Sequence, residues 1–161
     1  MGRRIQYILE ILIFLTLFSM FSSFTITTYQ TDDIIDVTEE FTELVRYKGC
    51  ITEDMYFEYL EQYPTPVSLT FVIEKGKVLQ TSQYLSAYEF TGDVMEAIST
   101  DGIYKMEVGD SIQVIVRKQG RSYFDALMGA VTKTSERNSV NPIVAVKGGL
   151  ILNEQYDKEG T

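Results

Sequence analysis

From Ile5 to Ile26 the chain is apolar at nearly every position, and beyond Glu10 it carries no charge until Asp32. The apolar residues surround a helix instead of marking one stripe, a pattern that suits lipid better than the half-buried helix of a soluble core. Ile11 to Ile26 would rise roughly 24 Å at 1.5 Å per residue. Adding Ile5 to Leu9 reaches the roughly 30 Å of a hydrocarbon core and sets Glu10 near one headgroup layer. The basic pair Arg3 and Arg4 lies N-terminal to this run. By the positive-inside tendency the N-terminus is expected in the cytoplasm and the chain after about residue 30 outside it. A cleaved signal peptide is the rival reading. Ser22-Ser23-Phe24 and Thr25-Ile26-Thr27 are poor matches to a small-residue cleavage site, so an uncleaved anchor over residues 1–30 is expected.

Beyond Thr31 the period becomes that of an amphipathic helix. Ile34, Val37, Phe41, Leu44 and Val45 form a stripe at spacings of three and four, and Asp36, Glu39, Glu40 and Glu43 take the other face. No Gly or Pro interrupts residues 4 to 47, and Gly49 reads as the stop. Thr52 followed by Glu53 and Asp54 predicts an N-cap and a second helix to about Gln62, closed by Pro64 and Pro66.

From Val67 the period is two. Val67, Leu69, Phe71 and Ile73 alternate with Ser68, Thr70, Val72 and Glu74, and Lys75-Gly76-Lys77 predicts a hairpin turn into a strand over 78–82. Residues 84–90 suit strand or loop equally. Thr91-Gly92-Asp93 opens a short helix to about Ser99. Strands are expected over 103–106 and 111–117, joined tightly by Val108-Gly109-Asp110. Ser122 and Asp125 predict a capped helix to about Val131, followed by a polar loop over 132–141. Strands over 143–146 and 150–152 would flank a Gly148-Gly149 turn, with a frayed C-terminus. Helices first and mostly antiparallel strands later give an α+β class. Residues 31–161 are one exported domain on this reading, since about 130 residues suffice for one real core.

Charge and chemistry narrow the function. The net charge is −9, and Asp32 to Glu61 hold ten acids against Arg46 and Lys48. That argues against nucleic acid, which needs a basic patch. Cys50 is the only cysteine, so no intrachain disulfide is possible. A buried thiol is its default role and an intermolecular disulfide the alternative. With no histidine, serine–histidine and cysteine–histidine nucleophiles are excluded, as are histidine-ligated zinc and haem. Acid pairs such as Asp32-Asp33 and Glu53-Asp54 sit at helix starts or on solvated faces, and an acidic-dyad hydrolase is the weakest reading. No enzymatic activity, cofactor or metal is expected.

Four stretches carry a family likeness. They are the anchor with its acid, residues 39–49 (Glu-Glu-Phe-Thr-Glu-Leu-Val-Arg-Tyr-Lys-Gly), residues 51–56 (Ile-Thr-Glu-Asp-Met-Tyr) and residues 104–114 (Tyr-Lys-Met-Glu-Val-Gly-Asp-Ser-Ile-Gln-Val). A late Gly-Gly-Leu-Ile-Leu-Asn run adds to them. In this layout the chain resembles the pilin-like proteins of Gram-positive bacteria, in particular TadE-like minor pilins and pseudopilins of Tad (Flp-type) pili. The resemblance implies a long N-terminal helix, anchored over its first half, with a small antiparallel sheet domain on its second. It also implies lateral partners, either other pilin-like subunits or assembly-platform proteins, and makes Glu10 the position for a docking acid. Prepilin peptidases cut after a glycine placed a few residues before that acid; here Gly2 stands eight positions before Glu10 and an Arg pair follows it.

Glu10 is the one ionisable group in the apolar run. It either reaches the headgroups or sits protonated, or it pairs with a cation on a neighbouring anchor. Leu12, Leu15, Ser19 and Ser22 are expected beside it on a packing face, because small residues let membrane helices approach closely. The leading expectation is a non-enzymatic, single-pass subunit or accessory component of a bacterial pilus or related secretion apparatus. The alternative is a membrane-tethered module that binds a peptide, sugar or envelope partner, with Tyr84, Tyr88, Tyr104 and Tyr123 as candidate contacts.

Overall fold

The computed structural model describes residues 2–78, 84–120 and 141–152. Its elements run α1 (Gly2–Lys48), β1 (Cys50–Thr52), α2 (Glu53–Gln62), β2 (Val67–Val78), β3 (Tyr84–Phe90), α3 (Thr91–Asp101), β4 (Ile103–Lys105), β5 (Ser111–Lys118) and β6 (Ile143–Leu150). The class is α+β: a long N-terminal helix with small antiparallel sheets. Contacts divide the chain into two compact units, one of which includes Met1–Asp32 and the other Asp33–Gln119 and the chain from Asn141.

The 47-residue α1 ends at Gly49, whose φ of 68° is open to glycine and costly for other residues. Its N–H donates to the Val45 carbonyl at 2.8 Å. Every threonine of α1 (Thr16, Thr25, Thr27, Thr28, Thr31, Thr38 and Thr42) donates its hydroxyl to the carbonyl four residues back, at 2.6–3.1 Å. Seven polar groups are thereby satisfied within the helix, so they neither need water nor fray the backbone. The start of α2 follows its sequence signal, with the Met55 N–H donating to the Thr52 hydroxyl at 3.3 Å.

Two antiparallel sheets share the core. One has strand order β3-β2-β5-β6, and the other is the short pair β1-β4. On β2 and β5 the alternation buries Val67, Leu69, Phe71, Ile73, Ile112, Val114 and Val116 on the inner face. Against them lie Ile34, Phe41 and Val45 of α1, Met55 and Tyr59 of α2, and Val94 and Ile98 of α3, all in one cluster. Phe41 is its centre, with ring centroids 5.1 Å from Tyr59 and 6.1 Å from Phe71.

Two local expectations are corrected. First, β2 does not turn at Lys75-Gly76-Lys77 but continues to Val78, and residues 84–90 are the strand it pairs with, Gly76 opposite Ser86. Gly76 is a strand residue whose N–H donates to buried Asp110 at 3.3 Å. The remainder of the expected strand, 79–82, lies outside the described residues. Second, Gly148 and Gly149 are interior to β6 and form no turn. The tight turn expected between β4 and β5 is present: Glu107 to Asp110 turn tightly, with Gly109 at φ 97°, and carry the chain from one sheet to the other. The helix expected over 122–131, the loop at 132–140 and the residues after 152 also lie outside the description.

Glycine is demanded in β6 by its neighbours. A Cβ on Gly148 would sit 2.5 Å from the Ile112 carbonyl oxygen, and one on Gly149 would sit 2.6 Å from Arg46 Nε. The first obstacle is backbone and cannot swing aside. Gly148→Ala is therefore expected to cost about 1–3 kcal/mol by forcing β6 away from β5. Thermal unfolding of the full chain in detergent checks it; an unchanged midpoint would show that the sheet absorbs the methyl group.

Candidate functional site

The first candidate region is the apolar half of α1. Among the described residues, α1 is the one helix long and apolar enough to cross a membrane, a form compatible with a single-pass anchor. Isoleucine, leucine and phenylalanine side chains from Ile5 to Ile26 stand exposed around its circumference. Glu10 is exposed as well, but it is not isolated: Gln6 Nε2 donates to its Oε1 at 3.0 Å, one helical turn away. Sequence reading passed over Gln6. The signal was its i, i+4 spacing from Glu10, where polar side chains meet on a helix.

The packing residues proposed beside Glu10 do not gather with it. At about 100° per residue, Leu12, Leu15, Ser19 and Ser22 share one side of the helix and Glu10 stands roughly opposite. Leu12 and Leu15 are exposed, Ser19 and Ser22 half-buried, and neighbouring Ser23 is buried. The side shared with Glu10 is instead that of Gln6, Ile13 and Leu17.

The lower stripe has a different destination. Ile34, Phe41 and Val45 are fully buried, and Val37 and Leu44 are partly buried against the same core. The stripe is taken up by the domain and leaves no open face along Ile34 to Val45. Thr38 and Thr42 are buried beside it, although both read as polar in the sequence. Their hydroxyls are satisfied by α1 itself, and Thr38 Oγ1 also lies 3.2 Å from the Tyr63 hydroxyl. Two ties fasten this part of α1 to β6. Lys147 Nζ meets Glu39 Oε2 at 2.5 Å, and Arg46, paired with Glu43, donates from Nε to the Leu150 carbonyl at 2.9 Å.

The second region is a polar cluster between the two sheets. The Tyr104 hydroxyl donates to Glu89 Oε2 at 2.5 Å, and Lys75 Nζ lies 3.3 Å from Glu89 Oε1 and 5.2 Å from the Tyr104 ring centre. Buried Asp110 accepts from the backbone N–H groups of Gly76 and Glu107. Every group in the cluster has a partner, and the arrangement secures strand positions. Among the described residues no three potential metal ligands converge. Of the candidate tyrosines Tyr104 is buried, Tyr88 is exposed, Tyr84 lies in β3 and Tyr123 is outside the description.

The cluster does have a pH signature. Burial, with the hydrogen bond to and the charge of Glu89, pushes the Tyr104 phenol well above its ordinary value of 10.0, and burial raises Tyr63 too despite its Thr38 contact. The fold favours the protonated phenols, so their contribution is intact below about pH 10 and is lost as pH climbs past the unfolded value. Denaturant midpoints are expected to fall above that pH, and Tyr104→Phe to flatten the fall. Identical alkaline profiles for the two proteins would count against this.

A third region is the outer face of the four-stranded sheet. The register places Phe90, Val72 and Gln113 in one row and Ile115 and Val146 in the next. Tyr88 and Phe90 are each 56% exposed, and Leu150 and Val146 are exposed with them. No family model, curated protein or solved structure matches this chain.

Proposed function

We propose that this chain is a non-enzymatic, single-pass membrane protein, a pilin-like subunit or accessory component of a bacterial Tad-type pilus or related secretion apparatus that works by lateral packing of its anchor helix. The observation that carries the proposal is α1 itself. One uninterrupted helix is exposed and apolar over its first half and, from Ile34, buried in an antiparallel sheet domain. A lone soluble domain has no use for so much unburied apolar helix surface. The internal bonding of the Thr16, Thr25, Thr27 and Thr28 hydroxyls supports lipid as the surroundings of that first half. The spacing from Gly2 to Glu10 favours the unprocessed, accessory form.

The test is the N-terminal sequence of the native protein in membrane and sheared-surface fractions. A processed start shared with surface filaments supports a subunit. An intact start confined to the membrane supports an accessory component. Cleavage near residues 24–28, with the domain released, would overturn the proposal. The exposed outer sheet face favours a second reading, a membrane-tethered module that binds a peptide, sugar or envelope partner there. On that reading Phe90→Ala with Tyr88→Ala abolishes retention on envelope material while the domain stays folded.

A further inference from the structure

We infer that α1 carries a seam for self-association, through which two copies of this chain pair side by side in one bilayer by reciprocal hydrogen bonds between Gln6 and Glu10. The inference rests on the membrane-anchor reading above. The intrahelical bond from Gln6 Nε2 to Glu10 Oε1 uses one donor hydrogen and one carboxyl oxygen. Gln6 keeps a second N–H and its side-chain carbonyl, and Glu10 keeps its other oxygen. Both side chains are exposed, and at the edge of the hydrocarbon, beside the headgroups, lipid tails offer such groups no partner and water reaches them only in part. A second copy supplies the missing set. Every copy inserts with the same orientation, so its Gln6 and Glu10 lie at the same depth. The spare amide N–H of each chain then meets the spare carboxyl oxygen of the other.

The apolar surroundings extend the match. Residues 6, 10, 13 and 17 are spaced four, three and four apart, the repeat that keeps one seam facing a parallel neighbour. Ile13 and Leu17 continue the seam and are exposed, at 50% and 61%. Leu15 lies on the opposite side of the helix and serves as the internal control.

The experiment uses the full chain in phospholipid vesicles, with Leu17→Cys and Leu15→Cys oxidised in parallel and scored for disulfide dimers. The unmodified chain, whose Cys50 is buried, sets the background. Leu17→Cys is expected to exceed Leu15→Cys by about fivefold, the size of effect that polar contacts between membrane helices support. Adding Gln6→Leu or Glu10→Leu should remove the excess, while Glu10→Gln, which still hydrogen-bonds, should retain it. Equal yields, an excess at Leu15, or dimers indifferent to Glu10→Leu overturn the seam. Loss in Glu10→Gln overturns it in favour of a cationic partner helix. Absence of dimers in a chain that resists carbonate extraction defeats the pairing alone, whereas a chain stripped by carbonate defeats the anchor reading beneath it.

Discussion

Phe41→Ala is expected to remove about 3–5 kcal/mol of stability, the usual cost of deleting a fully buried aromatic ring. The site gives little chance of collapse. Phe41 has no exposed surface and touches rings from two other elements, Tyr59 on α2 and Phe71 on β2. Its own backbone is held in a long helix whose Thr38 and Thr42 hydroxyls are bound internally. None of these three elements can move inward without disturbing the other two. A loss of this size is a large fraction of the 5–15 kcal/mol typical of a domain. Denaturant titration of the full chain in detergent, followed by tyrosine fluorescence, measures it. Asp36→Ala, on the exposed face of the same helix, should stay within about 0.5 kcal/mol. A loss below about 1 kcal/mol at Phe41 would mean that α1 is not fixed to the sheet as described.

The contrast between Phe41 and its neighbours shows what the chain declared in advance. The apolar stripe of α1 was legible because its spacing repeats over several turns, and the Gly49 stop and Thr52 cap were legible because both signals are local. The burial of Thr38 and Thr42 was not legible, for a physical reason. A threonine bonded to its own helix presents a methyl group outward and buries at little cost, and nothing in residue order reveals that bond. The errors in the sheet share a cause. Lys75-Gly76-Lys77 and Gly148-Gly149 both have turn chemistry, as Val108-Gly109-Asp110 does, but only the last of the three bends the chain. Whether such a segment bends depends on partners far away: Asp110 for Gly76, and Ile112 and Arg46 for the two glycines of β6.

The candidate site divided along the same line. The long apolar helix, a form compatible with a membrane anchor, was legible from composition because its apolar residues run on at nearly every position. The side each residue takes was legible as well, from spacing at about 100° per residue. Ser19 and Ser22 were grouped with Glu10 as small residues, although that spacing turns them to the far side. Gln6 is the residue that shares both the side and the chemistry of Glu10, and the hydrogen bond between them exposes the pairing.

Leu15→Arg is expected to detach the chain from membranes, and comparison with Thr28→Arg shows why the result is diagnostic. Leu15 lies near the middle of the apolar run, where exchanging leucine for arginine costs about 3–4 kcal/mol of insertion free energy. That corresponds to roughly a hundred- to a thousand-fold shift away from the inserted state. Thr28 lies at the end of the run, where an arginine side chain reaches the headgroups at little cost. Both side chains are exposed, and both precede the part of the helix that is buried in the core, so neither substitution should alter the folding of the domain. A helix merely adhering to membranes through its apolar surface would respond to charge at either position. A spanning helix responds at Leu15 and tolerates Thr28. Carbonate extraction of cell membranes followed by immunoblotting makes the comparison, with a melting curve of each variant as the control for folding. Retention of Leu15→Arg in the carbonate-resistant pellet would remove the spanning anchor, and the seam at Gln6 and Glu10 would lose its solvent along with it.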